Sequence, residues 1–135
     1  MWSVIKKIEF CYGHRLMNYE GKCRHPHGHN GVIEIVCSAS DLDERGMVVD
    51  FGDVKNFVKS FVDENWDHRM LLRIDDPLVE EYKKRGEPFF LFEENPTAET
   101  FARYLFDLVY EKGFPVTEVR FQETPTSVAV YRRDP

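Results

Sequence analysis

The chain has 135 residues, enough for one domain that buries a core without disulfides or structural metals. With 42% hydrophobic and 31% charged residues it has the composition of an ordinary globular protein, and its net charge of −6 argues against general affinity for nucleic acid. No apolar run is long enough to span a membrane, and the first residues lack the pattern of a signal peptide. Three cysteines without a CxxC spacing favour a reducing compartment, so we expect a single cytoplasmic domain over residues 1–135.

The first third of the chain predicts two strands joined by a polar loop. Residues 2–12 are rich in β-branched and aromatic types and predict a strand, with Gly13-His14 as its end or a bulge. Residues 15–26 contain Asn, Gly, Lys and Pro, which are typical of a loop. Residues 29–40 predict the second strand, and residues 47–51 predict a short extended piece.

Two segments show helical periodicity. The first helix is predicted to begin at Asp53 as N-cap and to end near Asn65. The second is predicted to begin with Asn95 as its cap and Pro96 at the first helical position, and to stop at Gly113. The apolar stripes that define these helices are Val54, Phe57, Val58, Phe61 and Val62 in the first, and Phe101, Leu105, Leu108 and Val109 in the second.

The remaining segments complete the predicted fold. Residues 73–87 are mostly charged and predict an excursion with at most a short helix over 78–85, followed by an apolar strand over 89–92. Closing strands are predicted over 116–122 and 128–132. This order favours an α+β fold in which two helices lie on one face of an antiparallel four-stranded sheet. Such a sheet has two open edges, which favours pairing between subunits.

Three histidines indicate a metal site. On one strand, His27 and His29 would lie on the same face, roughly 7 Å apart at the backbone, and His14 could supply a third nitrogen. Three histidines leave one position of a tetrahedral zinc ion open, as in catalytic sites. A chance grouping of surface histidines is the alternative, but a His-Gly-His at a strand start has little structural purpose. His25 is left out because Pro26 breaks the alternation.

The cysteines are interpreted differently from one another. Cys11 and Cys37 are predicted to be small core residues. Cys23 lies in a polar loop four residues before His27, where a buried thiol would have nothing to pack against. It could reach the metal cavity as a free thiol or bind as a fourth zinc ligand, and the latter would make the site structural.

Three further polar residues are candidates. Asp67 and His68 could form a plain polar pair at a helix end, but a histidine whose tautomer is fixed by a carboxylate can also donate a proton. Glu123 lies near a strand end, where most glutamates are solvated. Lys22, Arg24 and Arg15 could concentrate positive charge for a small anionic substrate.

Six short motifs, taken in chain order, resemble those of the 6-pyruvoyl-tetrahydropterin synthase / 6-carboxytetrahydropterin synthase family. The matching pieces are residues 10–16, Cys23 with 27–30, 46–51, 67–68, 95–99 and 122–124. They span nearly the whole chain. The three residues between Cys23 and the histidine of His-Gly-His are similar to the spacing in bacterial 6-carboxytetrahydropterin synthases of queuosine biosynthesis.

The resemblance implies a fold, an assembly and a set of roles. The fold is the tunnelling fold, a four-stranded antiparallel sheet with two helices between its second and third strands. Its subunits join at the sheet edges into barrels, usually trimers stacked as a hexamer. The implied residue roles are one zinc ion per subunit on His14, His27 and His29, Cys23 as general base, Asp67 and His68 as a proton relay, and Glu123 as the anchor of the pterin.

The reaction implied by the resemblance is a zinc-dependent lyase reaction. It converts 7,8-dihydroneopterin triphosphate to 6-carboxy-5,6,7,8-tetrahydropterin and releases acetaldehyde and triphosphate. One alternative is formation of 6-pyruvoyl-tetrahydropterin from the same substrate. The other is a non-catalytic, zinc-stabilised binding module in which Cys23 is the fourth ligand.

Overall fold

A computed structural model describes residues 1–134, so the predicted boundary at residue 135 lies outside the described residues. The elements, in chain order, are β1 (Trp2–His14), β2 (His27–Ala39), α1 (Phe51–Asn65), β3 (Met70–Arg73), α2 (Leu78–Arg85), β4 (Phe89–Phe92), α3 (Ala98–Lys112), β5 (Val116–Thr124) and β6 (Ser127–Arg132). A 3-10 turn, Lys22–Arg24, lies between β1 and β2. Over residues 1–134, no helix is both long and apolar enough to cross a bilayer.

All six strands form one mixed sheet in the order β4-β3-β1-β2-β5-β6. The strands β1, β2, β5 and β6 are antiparallel neighbours, whereas β3 pairs in parallel with both β1 and β4. The α+β class is confirmed, but the predicted four-stranded antiparallel sheet with two inserted helices is wrong. The sheet has six strands, and three helices lie between β2 and β5. Strand β3 has only four residues and pairs with β1 at two positions, so it leaves no clear period in the sequence.

The first helix begins earlier than predicted. Asp50, not Asp53, is the N-cap, and its side chain accepts a hydrogen bond from the Gly52 N–H at 2.7 Å. Residues 47–50 are therefore a bend leading into α1, and the extended piece predicted over 47–51 is wrong. Helix α2 coincides with the short helix predicted over 78–85.

The last helix begins later than predicted. Thr97 is its N-cap, and the Thr97 hydroxyl oxygen accepts a hydrogen bond from the Thr100 N–H at 3.2 Å. Asn95 lies outside the helix, so its predicted role as the cap is wrong. Asparagine and threonine are both common N-cap residues, and local sequence alone does not choose between two of them so close together.

The core joins the apolar sides of α1 and α3 to the inward residues of the sheet. Every second residue of β1 points inward, and each of these is at most 5% exposed in the stretch Ile8, Phe10, Tyr12 and His14. The last inward residue is thus a histidine rather than an apolar side chain. Because inward and outward residues alternate along β1, the last inward position, at the end of the strand, is occupied by His14.

Candidate metal centre

The three predicted histidines converge where β1 and β2 meet at one end of their ladder. His14 is paired with His27 in the antiparallel register, and His29 is paired with Tyr12. The two-residue period of each strand puts these four side chains on the inner face. The Nε2 atoms of His14 and His27 are 3.0 Å apart, and one nitrogen from each of the three histidines lies within 4.8 Å of the other two.

Backbone carbonyls hold the outer nitrogens of two of these rings. His14 Nδ1 donates to the Pro96 carbonyl at 2.7 Å, and His27 Nδ1 donates to the His25 carbonyl at 2.7 Å. Because a carbonyl only accepts, each Nδ1 carries the proton and each Nε2 presents a lone pair. Burial lowers the pKa of His14 to about 4, so this ring is neutral near pH 7.

Two Nε2 lone pairs facing each other repel unless a cation lies between them. Histidines that bind metals are typically oriented in this way, with the second nitrogen donating to a carbonyl or carboxylate. The third ring fits the same account. His29 Nε2 is buried and has no hydrogen-bond partner among residues 1–134, and it lies 3.6 Å from the nearer Glu123 oxygen. These residues therefore fit a metal ion, with three nitrogens as ligands.

Cys23 stands in the middle of the 3-10 turn and is half-buried. The Leu16 N–H donates to the Cys23 carbonyl at 2.8 Å, which ties this turn to the end of β1. Within the described part of the chain, the three histidines are the one group of three or more His, Cys, Asp or Glu whose ligand atoms converge. Cys23 is not part of that group, a geometry that favours an open three-ligand site over a closed four-ligand one.

The segment before α3 positions both the cluster and the loop. Asn95 clamps Met17 from both sides, since its Oδ1 accepts from the Met17 N–H and its Nδ2 donates to the Met17 carbonyl, each at 2.8 Å. The next residue, Pro96, supplies the carbonyl that orients His14. Neighbouring residues of one motif therefore fix a candidate ligand and the loop that carries Cys23.

Asp67 and His68 lie between α1 and β3, beside the outward side of β1. Asp67 Oδ2 accepts from His68 Nδ1 at 2.8 Å, and Asp67 Oδ1 accepts from the Cys11 N–H at 3.1 Å. Desolvation raises the pKa of Asp67, but these hydrogen bonds outweigh it and the pKa is lowered, so the group is a carboxylate. His68 has a left-handed backbone with φ of 57°, a conformation uncommon outside glycine and enriched at functional sites.

Within one chain, the structure does not bring this pair together with the three histidines. Asp67 and His68 line a cavity of about 400 Å³ whose other walls include the outward residues Cys11 and Asn30. The histidines lie on the inward face of the same two strands. Cys11 is exposed, so its prediction as a core residue is wrong, while Cys37 is buried in the core as predicted.

Glu123 lies beside the histidine cluster at the end of β5. The pairing of β5 with β6 skips this residue, an irregularity of the kind that redirects a side chain at the end of a sheet. Glu123 lines a cavity of about 350 Å³ together with Ala98, Glu99 and residues 127–130. A second acidic residue, Glu99, therefore lines the same cavity, and in the sequence it stands out only as part of the 95–99 motif.

Sequence reasoning also missed Tyr12. Its ring centroid lies 5.2 Å from that of His14 and 5.6 Å from that of His29, beneath the cluster. The hydroxyl is buried and has no hydrogen-bond partner in the described structure. Burial, and then the charge of Glu123, raise the pKa of Tyr12, so the hydroxyl is a neutral donor. Its position two residues before His14 on the same strand was the available signal.

The sheet, its inner helices and the convergent imidazoles define an α+β protein with a candidate metal centre at one end of the β1–β2 ladder. Residues 3–134 match the family model described as 6-pyruvoyl tetrahydropterin synthase. The match covers nearly the whole chain, and the chain belongs to this family.

Individual relatives agree with the family assignment. The chain is 39% identical over 132 residues to a 6-carboxy-5,6,7,8-tetrahydropterin synthase of Rickettsia bellii, a match that covers 93% of this chain and 96% of the relative. Among solved structures, an uncharacterized protein from Wolinella succinogenes superimposes with a TM-score of 0.84 at 29% identity, over 98% of both chains. The 6-pyruvoyl tetrahydropterin synthase of Caenorhabditis elegans gives 0.72 at 26% identity, over 98% of this chain and 96% of that one.

Proposed function

We propose that this protein is a zinc-dependent lyase of the 6-carboxytetrahydropterin synthase type. It converts 7,8-dihydroneopterin triphosphate and water to 6-carboxy-5,6,7,8-tetrahydropterin, acetaldehyde and triphosphate, in the synthesis of queuosine. The observation that carries the proposal is the convergence of His14, His27 and His29 in a chain whose relatives bear this enzyme's name.

The proposed metal is zinc, one ion per subunit, on the three histidines. Neutral imidazoles are common zinc ligands, and three of them leave a position for an oxygen of the substrate side chain. When bound, zinc supplies a Lewis acid that polarises this oxygen and acidifies the neighbouring C–H bonds. Pro96 and His25 hold the His14 and His27 rings in place through their carbonyls, so little reorganisation is needed on binding.

In this proposal, Cys23 is the general base that removes a proton from the substrate side chain. A thiolate is the form of a cysteine that acts as a base. Lys22 and Arg24 flank Cys23 in the 3-10 turn, and neither has a carboxylate within 4.0 Å among residues 1–134, so both cations are available to an anionic substrate. The hydrogen bond from the Leu16 N–H to the Cys23 carbonyl supports a fixed position for this turn.

Asp67 and His68 act as the proton relay. The Asp67 carboxylate accepts the Nδ1 proton of His68, which leaves Nε2 of His68 to exchange a proton with the substrate as triphosphate leaves. The pair and the histidine cluster lie on opposite faces of β1, so we infer that a complete site takes the pair from a neighbouring subunit. The assembly we propose is a homo-oligomer built from trimers, as a hexamer.

Glu123 anchors the pterin ring. A carboxylate only accepts hydrogen bonds, and the pterin edge offers an N–H and an NH₂ side by side, so a bidentate contact suits both. The position of Glu123 supports this role, since it lines a cavity and one of its carboxylate oxygens lies 3.6 Å from His29 Nε2. We also propose that residues 1–135 form a single tunnelling-fold domain, and that three free cysteines suit a cytoplasmic protein.

The test is an incubation of zinc-loaded protein with 7,8-dihydroneopterin triphosphate, followed by mass spectrometry, with Cys23→Ala as the paired variant. The expected products are a carboxylated pterin and acetaldehyde, both missing with Cys23→Ala. The second candidate is 6-pyruvoyl-tetrahydropterin formation, which is favoured by the description of the matching family. A pyruvoyl pterin would establish that candidate, and no turnover of the zinc-loaded protein would exclude both.

A further inference from the structure

Arg69, next to the Asp67–His68 pair, has no ion-pair partner among residues 1–134. Its Nε atom is buried and makes no hydrogen bond in the described structure, and no carboxylate of residues 1–134 lies within 4.0 Å of its guanidinium. A buried donor that is left unpaired costs free energy, so such a group calls for an explanation. Seven other arginines form ion pairs, namely Arg15, Arg45, Arg73, Arg103, Arg120, Arg132 and Arg133. The two other arginines, Arg24 and Arg85, are exposed.

The backbone of Arg69 is held firmly. Its N–H donates to the Trp66 carbonyl at 3.2 Å, and its carbonyl accepts from the Gly13 N–H at 3.0 Å. Met70, the next residue, pairs with Gly13 at the start of β3. The guanidinium therefore extends from a fixed point, one residue from the proposed proton relay.

A cavity of about 240 Å³ lies at this point. It is lined by Gly13, His68, Arg69, Met70, Tyr82, Glu87 and Pro88. Tyr82 belongs to α2, so the charged excursion builds one wall of a space that His68 and Arg69 share. That excursion is anchored to the end of β1, because Asp76 accepts two hydrogen bonds from Arg15, one of them at 2.7 Å.

We propose that Arg69 binds the triphosphate end of the substrate in this cavity, which makes it a phosphate subsite beside His68. The inference rests on the proposed lyase function, because the substrate of that reaction carries the triphosphate. A guanidinium donates several hydrogen bonds in a planar fork that matches phosphate oxygens, and a bound phosphate would give the buried Nε an acceptor. His68 would then stand next to the leaving triphosphate.

Substitution of Glu87 provides a control for the proposed role of Arg69 in phosphate binding. Glu87 lines the same cavity but does not pair with Arg69, so its negative charge opposes a bound phosphate. Replacing Glu87 by Gln should therefore strengthen phosphate binding. The alternative is that Arg69 stabilises the fold by pairing with Glu87. In that case Glu87→Gln would weaken triphosphate binding in the same way as Arg69→Gln.

The experiment measures binding of inorganic triphosphate to the zinc-loaded protein by calorimetry. Arg69→Gln is compared with Arg85→Gln, which makes the same charge change on an exposed side chain outside the cavity. We expect Arg69→Gln to weaken binding by about tenfold or more, Arg85→Gln to leave it within about twofold, and Glu87→Gln to strengthen it. Equal affinities of wild type and Arg69→Gln, no binding by the wild type, or weakening by Glu87→Gln would each overturn the subsite.

Turnover separates this proposal from the proposed function. If Arg69→Gln makes the carboxylated pterin with an unchanged KM, the lyase stands and the subsite is overturned. If no variant makes a pterin product while triphosphate binding still depends on Arg69, the anion site stands as a site for an oligophosphate. In that case it is the lyase function that fails.

Discussion

The two nitrogens of the His14 ring face different parts of the molecule. Nδ1 is held by the Pro96 carbonyl, while Nε2 faces His27 at 3.0 Å. His27 repeats this arrangement with the carbonyl of His25. The His25 contact is a main-chain contact, so the His25 side chain is free of any role in orienting the cluster. His27 acts through its side chain and His25 only through its carbonyl, so mutation of these two neighbouring residues to alanine gives a matched comparison.

We predict that His27→Ala loses most of its bound zinc, because two imidazoles hold the ion far more weakly than three. His25→Ala should retain about one zinc per chain, since the carbonyl of residue 25 remains. Metal analysis of the purified, dialysed variants measures both. Equal zinc in the two variants would contradict the assignment of the ligands.

At the scale of residues, spacing in the sequence was most informative where strand geometry decides the outcome. His27 and His29 could be placed on one face because a strand has a period of two, and His14 joined them as a candidate from upstream. Tyr12 was missed because a tyrosine in an apolar strand has the pattern of an ordinary core residue. The burial of its hydroxyl beside the cluster depends on tertiary packing, which the sequence does not display.

Among the elements, the segment before α3 holds its neighbours in two ways: the Asn95 side chain binds the Met17 backbone, and the Pro96 carbonyl binds His14. We predict that Asn95→Ala frees Met17 and lowers the free energy of unfolding by about 2 kcal/mol, because two part-buried hydrogen bonds are lost. Amide hydrogen exchange at Met17 should become faster, and turnover should fall while zinc stays bound. Asn65→Ala, which removes one bond to the Phe61 carbonyl, is the control. Unchanged exchange at Met17 would rule out the clamp.

The excursion around α2 is held by Asp76. Desolvation raises the pKa of this buried carboxyl, but the hydrogen bonds from Arg15 and the Leu78 N–H outweigh it, and the pKa is lowered. The unfolded chain therefore binds the proton more readily than the folded one. The stabilisation is complete above the unfolded pKa of about 3.9 and is lost as the pH falls through the lower folded value.

We therefore predict that Asp76→Asn lowers the free energy of unfolding by about 2 kcal/mol at pH 7, since Arg15 loses its charged partner. The difference from the wild type should shrink below about pH 4, where Asp76 of the unfolded wild-type chain begins to take up a proton, and should vanish as the pH falls through the lower folded pKa. Denaturant unfolding across pH measures this. Asp75→Asn, an exposed neighbour paired with Arg73, should change little. A difference that persists undiminished at pH 3 would contradict the linkage.

The two helices with a long apolar period were predicted correctly, including their C-terminal ends at Asn65 and before Gly113, but their N-terminal starts were not. The stripes of α1 and α3 follow from spacing alone, and most of their residues are buried as expected. The caps were misplaced because Asp50 and Asp53, like Asn95 and Thr97, are alternative caps a few residues apart. Strand β3 exists because it pairs in parallel with β1 and β4, a nonlocal cause that four residues cannot reveal.

For the whole molecule, a complete site draws on two subunits if Asp67 and His68 come from a neighbouring chain, as proposed. We predict that Cys23→Ala and His68→Ala are each inactive alone and regain activity when unfolded and refolded together. In an equal, random mixture about a quarter of the sites would combine an intact Cys23 with an intact His68 from a neighbour. Light scattering should give the hexamer mass for each variant. A mixture that stays inactive while it forms mixed oligomers would mean that one chain supplies the whole site.

The most direct measurement of the central claim is a zinc titration of the metal-free protein, with product formation from 7,8-dihydroneopterin triphosphate recorded at each step. We predict that 6-carboxytetrahydropterin formation rises in proportion to added zinc and levels off at about one ion per chain. His27→Ala should remain inactive over the same range. Full activity in the metal-free protein, or none at any zinc content, would contradict a zinc-dependent lyase.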